Sequence, residues 1–298
     1  MQNVGTPRFY IDSGLYQQAI GAWTPEDDQK SLVQLNPSNI VQSPENPIKV
    51  PRISPIRYIA FLGHNGGQYY PTFDDDPVDG FTEVINLPES LNGVDYSGFS
   101  IGTFSDTESA NDLIAGIIDE ESTLGAVSIG NYYDMPISPN MNLTLSYEYD
   151  GIKNVQTKGG STLSNASYTK PADWGNRGAW QLGEVSNLRS GRRVWNLSFH
   201  FLADSDIMPN LGVQNYEEDI HGNLVNTEDI LSGSDFFSVV WNQTMGYLPF
   251  LFNPNGGGES PNNSPDQFAI CRFDMKSLKY SQISYNTYNM SLKIRESW

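Results

Sequence analysis

The clearest hydrophobic pattern lies towards the C-terminus, where apolar and polar residues alternate in three stretches. These stretches are GRRVWNLSFHFL (191–202), FFSVVWNQTMGYLPFLFNP (236–254) and FAICRFDMKSLKYSQISYNTYNMSLKIRESW (268–298). Each is rich in aromatic and β-branched residues, and Gly, Pro or Asn punctuates its ends. A period of two predicts antiparallel strands with one buried face. In the first stretch this period places Trp195, Phe199 and Phe201 on the buried face. His200 lies on the opposite face, towards solvent or a neighbour.

Two weaker segments precede this region. A short strand is predicted at 8–11, but the rest of residues 1–55 is rich in proline and polar residues. Because proline cannot donate a ladder hydrogen bond, we expect this segment to be an arm or a long surface loop. Residues 56–145 resemble a separate β module with strands predicted at 56–62, 81–87, 99–104 and 124–130. Residues 109–118 favour a short helix interrupted by Gly116, with a strand as the alternative.

The third segment, residues 146–298, contains the alternating stretches and a further strand and turn at 146–152. A Gly/Ser/Asn-rich stretch around 159–160 and a Gly/Asn/Pro-rich stretch at 253–267 are predicted to be loops. An acidic stretch at 215–229 is predicted to be a loop or an insertion. The predicted fold class is therefore all-β. It comprises an antiparallel β-sandwich or jelly-roll module followed by a second β-sandwich-like module, with long loops and little helix.

The charge of the chain excludes one class of partner. Lys and Arg total 17 against 35 Asp and Glu in 298 residues, a formal net charge of −18. Binding to nucleic-acid phosphates needs clustered cations, so we expect no nucleic-acid partner. No basic amphipathic helix for a membrane surface is found either. The abundance of Asn, Ser, Gly and Pro fits a β protein with many loops.

Cys271 is the only cysteine, so an intramolecular disulfide and a metal site built from several cysteines are both excluded. Its place in an alternating run predicts a buried structural thiol. No apolar run approaches the roughly 20 residues of a membrane span, and the N-terminus lacks the pattern of a secretory signal. We therefore expect cytoplasmic synthesis without membrane insertion.

No residue pattern predicts catalysis. The acidic run 74–76 can be read as a calcium site or as an exposed acidic turn, but it lacks the spacing of a dedicated calcium loop. His64, His200 and His221 are far apart and have no nucleophile motif beside them. The glycine runs at 66–67, 159–160 and 256–258 lack the lysine and the strand–helix context of a phosphate loop. We expect no enzyme activity, no cofactor and no bound metal.

Aromatic and arginine residues supply the candidate interaction sites. Six aromatic residues lie near predicted loops: Tyr69, Tyr70, Tyr132, Tyr133, Trp174 and Trp180. Three roles are open for them, namely stacking on sugar rings, anchoring a protein interface and capping the β core. Arg and Trp dominate interface energies, and clustered arginines are unusual in so acidic a chain. The predicted interface residues are Trp174, Arg177, Trp180, Arg192 and Arg193. The alternative for these arginines is local pairing within one subunit.

Four pieces of the C-terminal half together resemble structural tail proteins of tailed bacteriophages. They are EYDGIKNVQTKGGSTLSN, GRRVWNLSFHFLAD, FFSVVWNQTMGYLPFLFNP and the closing QFAICRFD with YNTYNMSLKIRESW. In the first half, IRYIAFLGHN and VSIGNYYDMPISP resemble a galactose-binding-like jelly roll of some phage tail proteins. No recognisable sugar-binding residues accompany this second resemblance, so carbohydrate binding is not carried over with it.

The resemblance implies a distal-tail or tail-tip (baseplate ring) protein of the virion. Such proteins form rings, most often hexamers, between the tail tube and the host-recognition apparatus, so the implied partners are copies of this chain and the tube, hub and fibre proteins. A head–tail connector, a neck protein and a decoration protein are the alternatives within the virion. From a different class, a carbohydrate-binding or receptor-binding module that recognises a cell-surface glycan is the second hypothesis, and a glycan- or peptidoglycan-cleaving enzyme is the third.

Overall fold

The structure is a computed structural model, and it describes only part of the chain. The described residues are 4–25, 27, 29–35, 41–42, 48–51, 56–64, 69–73, 98–103, 112–117, 123–148, 154–164, 191–208, 216–218, 224–226, 234–264 and 267–297. Strands dominate these residues and form a large antiparallel sheet, so the all-β prediction is confirmed, and the arrangement is consistent with a β-sandwich.

The strands, in chain order, are β1 (Arg8–Asp12), β2 (Val41–Gln42), β3 (Ile48–Pro51), β4 (Tyr58–His64), β5 (Tyr69–Phe73), β6 (Gly98–Thr103), β7 (Asp112–Ile117), β8 (Thr123–Leu124), β9 (Ala126–Asp134), β10 (Thr144–Glu148), β11 (Asn154–Gln156), β12 (Thr162–Ser164), β13 (Arg192–Ala203), β14 (Tyr216–Glu218), β15 (Leu224–Asn226), β16 (Phe250–Asn253), β17 (Ala269–Phe273), β18 (Tyr280–Ser284) and β19 (Thr287–Glu296). The helical elements are α1 (Ser13–Ala19), α2 (Asp204–Ile207) and a π-helix (Phe237–Asn242).

One ten-stranded sheet organises the fold. Its order is β10-β13-β19-β17-β16-β1-β9-β4-β6. β18 pairs with the beginning of β19 on the side away from β13. β1 lies in the middle, where Phe9 is opposite Phe252 of β16 and Tyr133 of β9. Strands from all three predicted segments therefore share one sheet, a pairing that the sequence pattern did not predict. The predicted boundaries near 55 and 145 stay predictions.

The central strands are buried on both faces. In β1, Phe9 and Ile11 belong to one hydrophobic cluster, whereas Tyr10 belongs to a second cluster on the other face. Neighbouring β16 repeats this division, because Phe252 lies in the first cluster and Leu251 in the second. The sequence predicted one buried face per strand. The sheet instead buries both faces of its middle, since side chains of successive residues point to opposite sides of a strand.

Several predicted strands are confirmed in place, and residues 112–117 of the ambiguous segment 109–118 are described. Strands are present at Arg8–Asp12, Tyr58–His64, Gly98–Thr103, Ala126–Asp134, Thr144–Glu148 and Arg192–Ala203. Asp112–Ile117 is a strand, so the strand alternative holds there and the predicted helix is wrong. The predicted strand at 81–87 and the acidic run 74–76 lie outside the described residues.

The predicted strand at the start of FFSVVWNQ is wrong, because these residues form the π-helix. Phe236, Val239 and Val240 are buried at a spacing of three and four residues, which places them on one face of a helix. In a strand Val239 would lie on the face opposite Phe236 and Val240. Asp235 caps the start by accepting hydrogen bonds from the Ser238 amide (3.0 Å) and hydroxyl (2.7 Å). Gly246, at φ +68°, follows the end. The spacing of the buried residues and the Asp235 cap both favour a helix here over the predicted strand.

The alternation in β13 is interrupted by a bulge. Trp195, Leu197 and Phe199 are buried as predicted, but the register to β19 shifts between Phe199 and Leu202. The extra residue reverses the faces, so Leu202 is buried and Phe201 is exposed. The predicted burial of Phe201 is therefore wrong, whereas His200 is exposed as predicted.

Candidate interaction surfaces

Three arginines come together on the face of the sheet opposite Trp195. Arg272 of β17 is the direct cross-strand partner of Arg295 in β19, and Arg295 lies beside Val194 of β13. Arg192 is two residues before Val194 and therefore shares its face. These three arginines line one cavity of about 290 Å³, together with Asp274, Glu296, Ser297 and Phe273.

Arg295 and Arg272 differ in the acceptors that their guanidinium groups contact. The Arg295 guanidinium contacts a Glu148 carboxylate oxygen at 3.1 Å, while its Nε is buried without a hydrogen-bond partner. Arg272 donates to the Ser297 hydroxyl (3.1 Å) and to the Tyr247 carbonyl (3.0 Å), which are both uncharged. The cavity therefore presents cationic nitrogen atoms in a chain whose net charge is −18.

Arg193 points the other way and makes local contacts within the chain. Its side chain is 8% exposed and pairs with Glu296 at 3.1 Å, and it also donates to the Phe268 carbonyl at 2.6 Å. Its guanidinium lies 5.3 Å from the Trp195 ring centroid. For Arg193 the structure therefore shows the local pairing that was the alternative to an interface. This buried pair joins the last strand to β13 and to the residue preceding β17.

A second surface is the hairpin of β11 and β12. Every residue from 154 to 164 except Thr157 is exposed. Thr157 shapes the turn, because its amide donates to the Ser161 carbonyl (2.8 Å) and its hydroxyl accepts from the Ser161 amide (3.1 Å). Val155 and Leu163 are direct cross-strand partners, and they are 61% and 60% exposed. The hairpin thus carries an apolar pair on its surface.

Exposed aromatic rings form a third feature. Phe201 is 74% exposed and has φ +65°, a left-handed conformation that is rare for a bulky residue. Its amide donates to the Asn289 side-chain oxygen at 3.4 Å. Tyr285, which follows β18 in the turn to β19, is 86% exposed. Such rings have a large apolar area available for a partner.

The aromatic residues singled out from the sequence have different environments. Tyr133 is buried, and its hydroxyl donates to the Asp206 carbonyl at 2.8 Å, so it caps the core. The Tyr132 ring lies 4.3 Å from the Arg8 guanidinium and 4.4 Å from that of Arg57. Two cations therefore already occupy its surroundings. Tyr69 and Tyr70 lie in β5, and Trp174, Arg177 and Trp180 lie outside the described residues.

The described part of the chain contains no group of three or more His, Cys, Asp and Glu side chains arranged to hold a metal ion. No helix among these residues is long and apolar enough to cross a membrane. Cys271 is buried, as predicted, and burial raises the pKa of its thiol well above the ordinary value. A thiol that stays protonated is a poor nucleophile and metal ligand.

Comparison with known proteins yields no relative. No protein-family model matches the chain, and no curated protein or solved structure matches it.

Sequence reasoning missed most of these surfaces. It placed Arg192 in a candidate interface but not Arg272 and Arg295, which are 80 and more residues away in the chain. It read residues around 159–160 as a loop, although VQ and TL flank a Gly-Gly turn in the pattern of a short hairpin. That flanking pattern was the available signal for the hairpin, while no local signal connects the three arginines.

Proposed function

We propose that this protein is a noncatalytic structural protein of a tailed-bacteriophage virion. In this proposal it assembles with copies of itself into a ring at the distal tail or tail tip. The ring links the tail tube to the host-recognition apparatus. A hexamer is the expected ring, and the hub and fibre proteins are the expected neighbours.

The observation that carries the assembly proposal is the exposed hairpin. An isolated two-stranded hairpin is marginally stable in water and gains stability when its apolar side chains are covered. Val155 and Leu163 expose about three fifths of their surface. Covering them in an interface contributes on the order of 1–2 kcal/mol for each side chain. The hairpin is therefore suited to reach a neighbouring subunit.

The resemblance to phage tail proteins supplies the class of assembly. The residues that carry it include EYDGIKNVQTKGGSTLSN, which contains this hairpin, and GRRVWNLSFHFLAD, which contains β13. A ring uses the same head-to-tail contact at every interface, so one projecting element per subunit suffices to close it.

The test is the mass of the purified protein by light scattering over a concentration series, with negative-stain images of the same samples. We expect rings whose dissociation constant rises at least about tenfold when Val155→Thr and Leu163→Thr are combined, because tenfold corresponds to about 1.4 kcal/mol. Ile283→Thr, at another exposed apolar position, is the matched control and should leave assembly unchanged. A monomer at every concentration would contradict the proposal.

A glycan-binding or receptor-binding role is the second candidate, and the exposed Tyr285 ring favours it. Aromatic faces stack on sugar rings without needing charge. A glycan array measured with the wild-type protein and with Tyr285→Ala tests this role. Glycan binding that disappears in the variant would support this role. An array without any signal would contradict the glycan-binding role and leave assembly as the remaining proposal.

A further inference from the structure

The Arg272–Arg295 pair is electrostatically unfavourable as it stands. Like charges directly opposite each other on neighbouring strands destabilise a sheet. The two carboxylates that line the same cavity do not resolve this, since each has its own cation. Asp274 pairs with Lys293 at 2.6 Å, and Glu296 pairs with the buried Arg193.

The donors left over point to an anion. Arg272 has only uncharged acceptors among the described residues, the Ser297 hydroxyl and the Tyr247 carbonyl. Arg295 has one carboxylate contact, to Glu148, and a buried Nε without an acceptor. A guanidinium offers five donors in a planar fork that matches the two oxygens of a carboxylate or phosphate group. The Arg272 fork contacts no carboxylate among the described residues, and the Arg295 fork leaves its Nε without an acceptor.

We propose that this cavity is a binding site for a small oxyanion, a carboxylate or a phosphate group, held between Arg272 and Arg295. Arg192 lines the same cavity and adds to its positive potential. The volume of about 290 Å³ accommodates a compact anionic group together with the atoms that carry it. A bound anion offsets the repulsion between the two arginines and provides the acceptor that the buried Arg295 Nε lacks.

The anion can come from two sources with this same chemistry. One is an acidic side chain of a second copy of the chain, which carries 35 Asp and Glu. The other is a free anion from solution. The site itself does not depend on the proposed ring, because the cavity is formed within one chain.

The direct test follows the arginine side-chain N–H signals by NMR while glutarate or inorganic phosphate is added at constant ionic strength, with chloride as the salt control. We expect saturable shifts in the wild-type protein and at least about tenfold weaker binding in Arg272→Gln. Arg272→Lys, which keeps the charge but loses the fork, should fall between them. Lys276→Gln removes the same charge from an exposed position outside the cavity and should bind like the wild type.

Light scattering of the same variants separates the two sources. If Arg272→Gln reduces oligomer formation and phosphate competes with assembly of the wild type, the anion belongs to a second copy. If probe binding is lost while oligomer size is unchanged, the anion is free in solution. Equal probe affinity in the wild type and Arg272→Gln would overturn the site. The site would also be overturned if the wild type bound neither probe and the oligomer were unchanged in Arg272→Gln. A ring that assembles normally in all variants would leave the proposed function intact while contradicting the second-copy source.

Discussion

At the scale of single residues, Asp12 shows how burial changes the chemistry of a side chain with a structural role. Its Oδ1 accepts the Leu15 amide at 2.9 Å and so caps α1, while its Oδ2 is buried without a partner. Burial in this site raises the pKa of Asp12 from 3.8 to about 6, even though hydrogen bonds from backbone amides oppose the shift. The folded state therefore holds the proton more tightly than the unfolded state does.

This difference predicts the direction of a pH effect. The contribution of Asp12 to stability is complete below about pH 4 and is lost as the pH rises through about 6. Asp12→Asn stays neutral and can still cap the helix. From pH 4 to pH 7 the free energy of unfolding of the variant should increase relative to wild type, by up to about 3 kcal/mol for a shift of about two units.

The measurement is urea denaturation of both proteins at several pH values. Asp27→Asn, at an exposed aspartate, is the control and should show no such rise. A constant difference between wild type and Asp12→Asn from pH 4 to pH 7 would contradict the shifted pKa.

At the scale of elements, the bulge in β13 shows a local conformation imposed by its surroundings. Two residues, His200 and Phe201, occupy the interval where the register to β19 shifts. Phe201 takes a positive φ, which costs an L-residue with a side chain about 1–2 kcal/mol. The pairing of Leu202 with Tyr288 beyond the bulge keeps the strand in the sheet despite this cost.

Replacing Phe201 by glycine and by alanine isolates the backbone effect, because neither variant retains the ring. Phe201→Gly should be more stable than Phe201→Ala by about 1 kcal/mol, since glycine adopts a positive φ without steric cost. The midpoints of urea denaturation measure the difference. The same pair of substitutions at Tyr147, an exposed aromatic in a strand without positive φ, should show alanine as the more stable variant. Equal stability of the two Phe201 variants would contradict a strained backbone.

At the scale of the whole molecule, the N-terminal strand holds the sheet together. β1 joins β16, from the C-terminal region, to β9, from the middle of the chain. The Phe9 ring lies 5.2–5.7 Å from the ring centroids of Phe252, Phe236 and Phe250. Residues distant in the chain therefore form one core around β1.

Changes at Phe9 and in the hairpin at 154–164 should differ strongly in their effect on stability. Phe9→Ala leaves a cavity in a core where the side chain is fully buried and should cost about 3–5 kcal/mol. Replacing residues 154–164 by a short Gly/Ser linker removes residues that are all exposed except Thr157, and it should leave the melting temperature of the dilute protein nearly unchanged. Calorimetry measures both. A hairpin replacement as destabilising as Phe9→Ala would show that the hairpin belongs to the folding core.

The class of secondary structure followed from the sequence alone, because period-two alternation in β13 and the apolar runs in β4 and β9 depend only on neighbouring residues. The sequence also determined the burial of Cys271. Tertiary structure decided the rest. Pairing across the sheet placed Arg272 beside Arg295. It also placed the predicted strand at 8–11, as β1, in the middle of the sheet. These outcomes depend on contacts between residues far apart in the chain, and a local hydrophobic pattern contains no information about which distant strand will lie alongside.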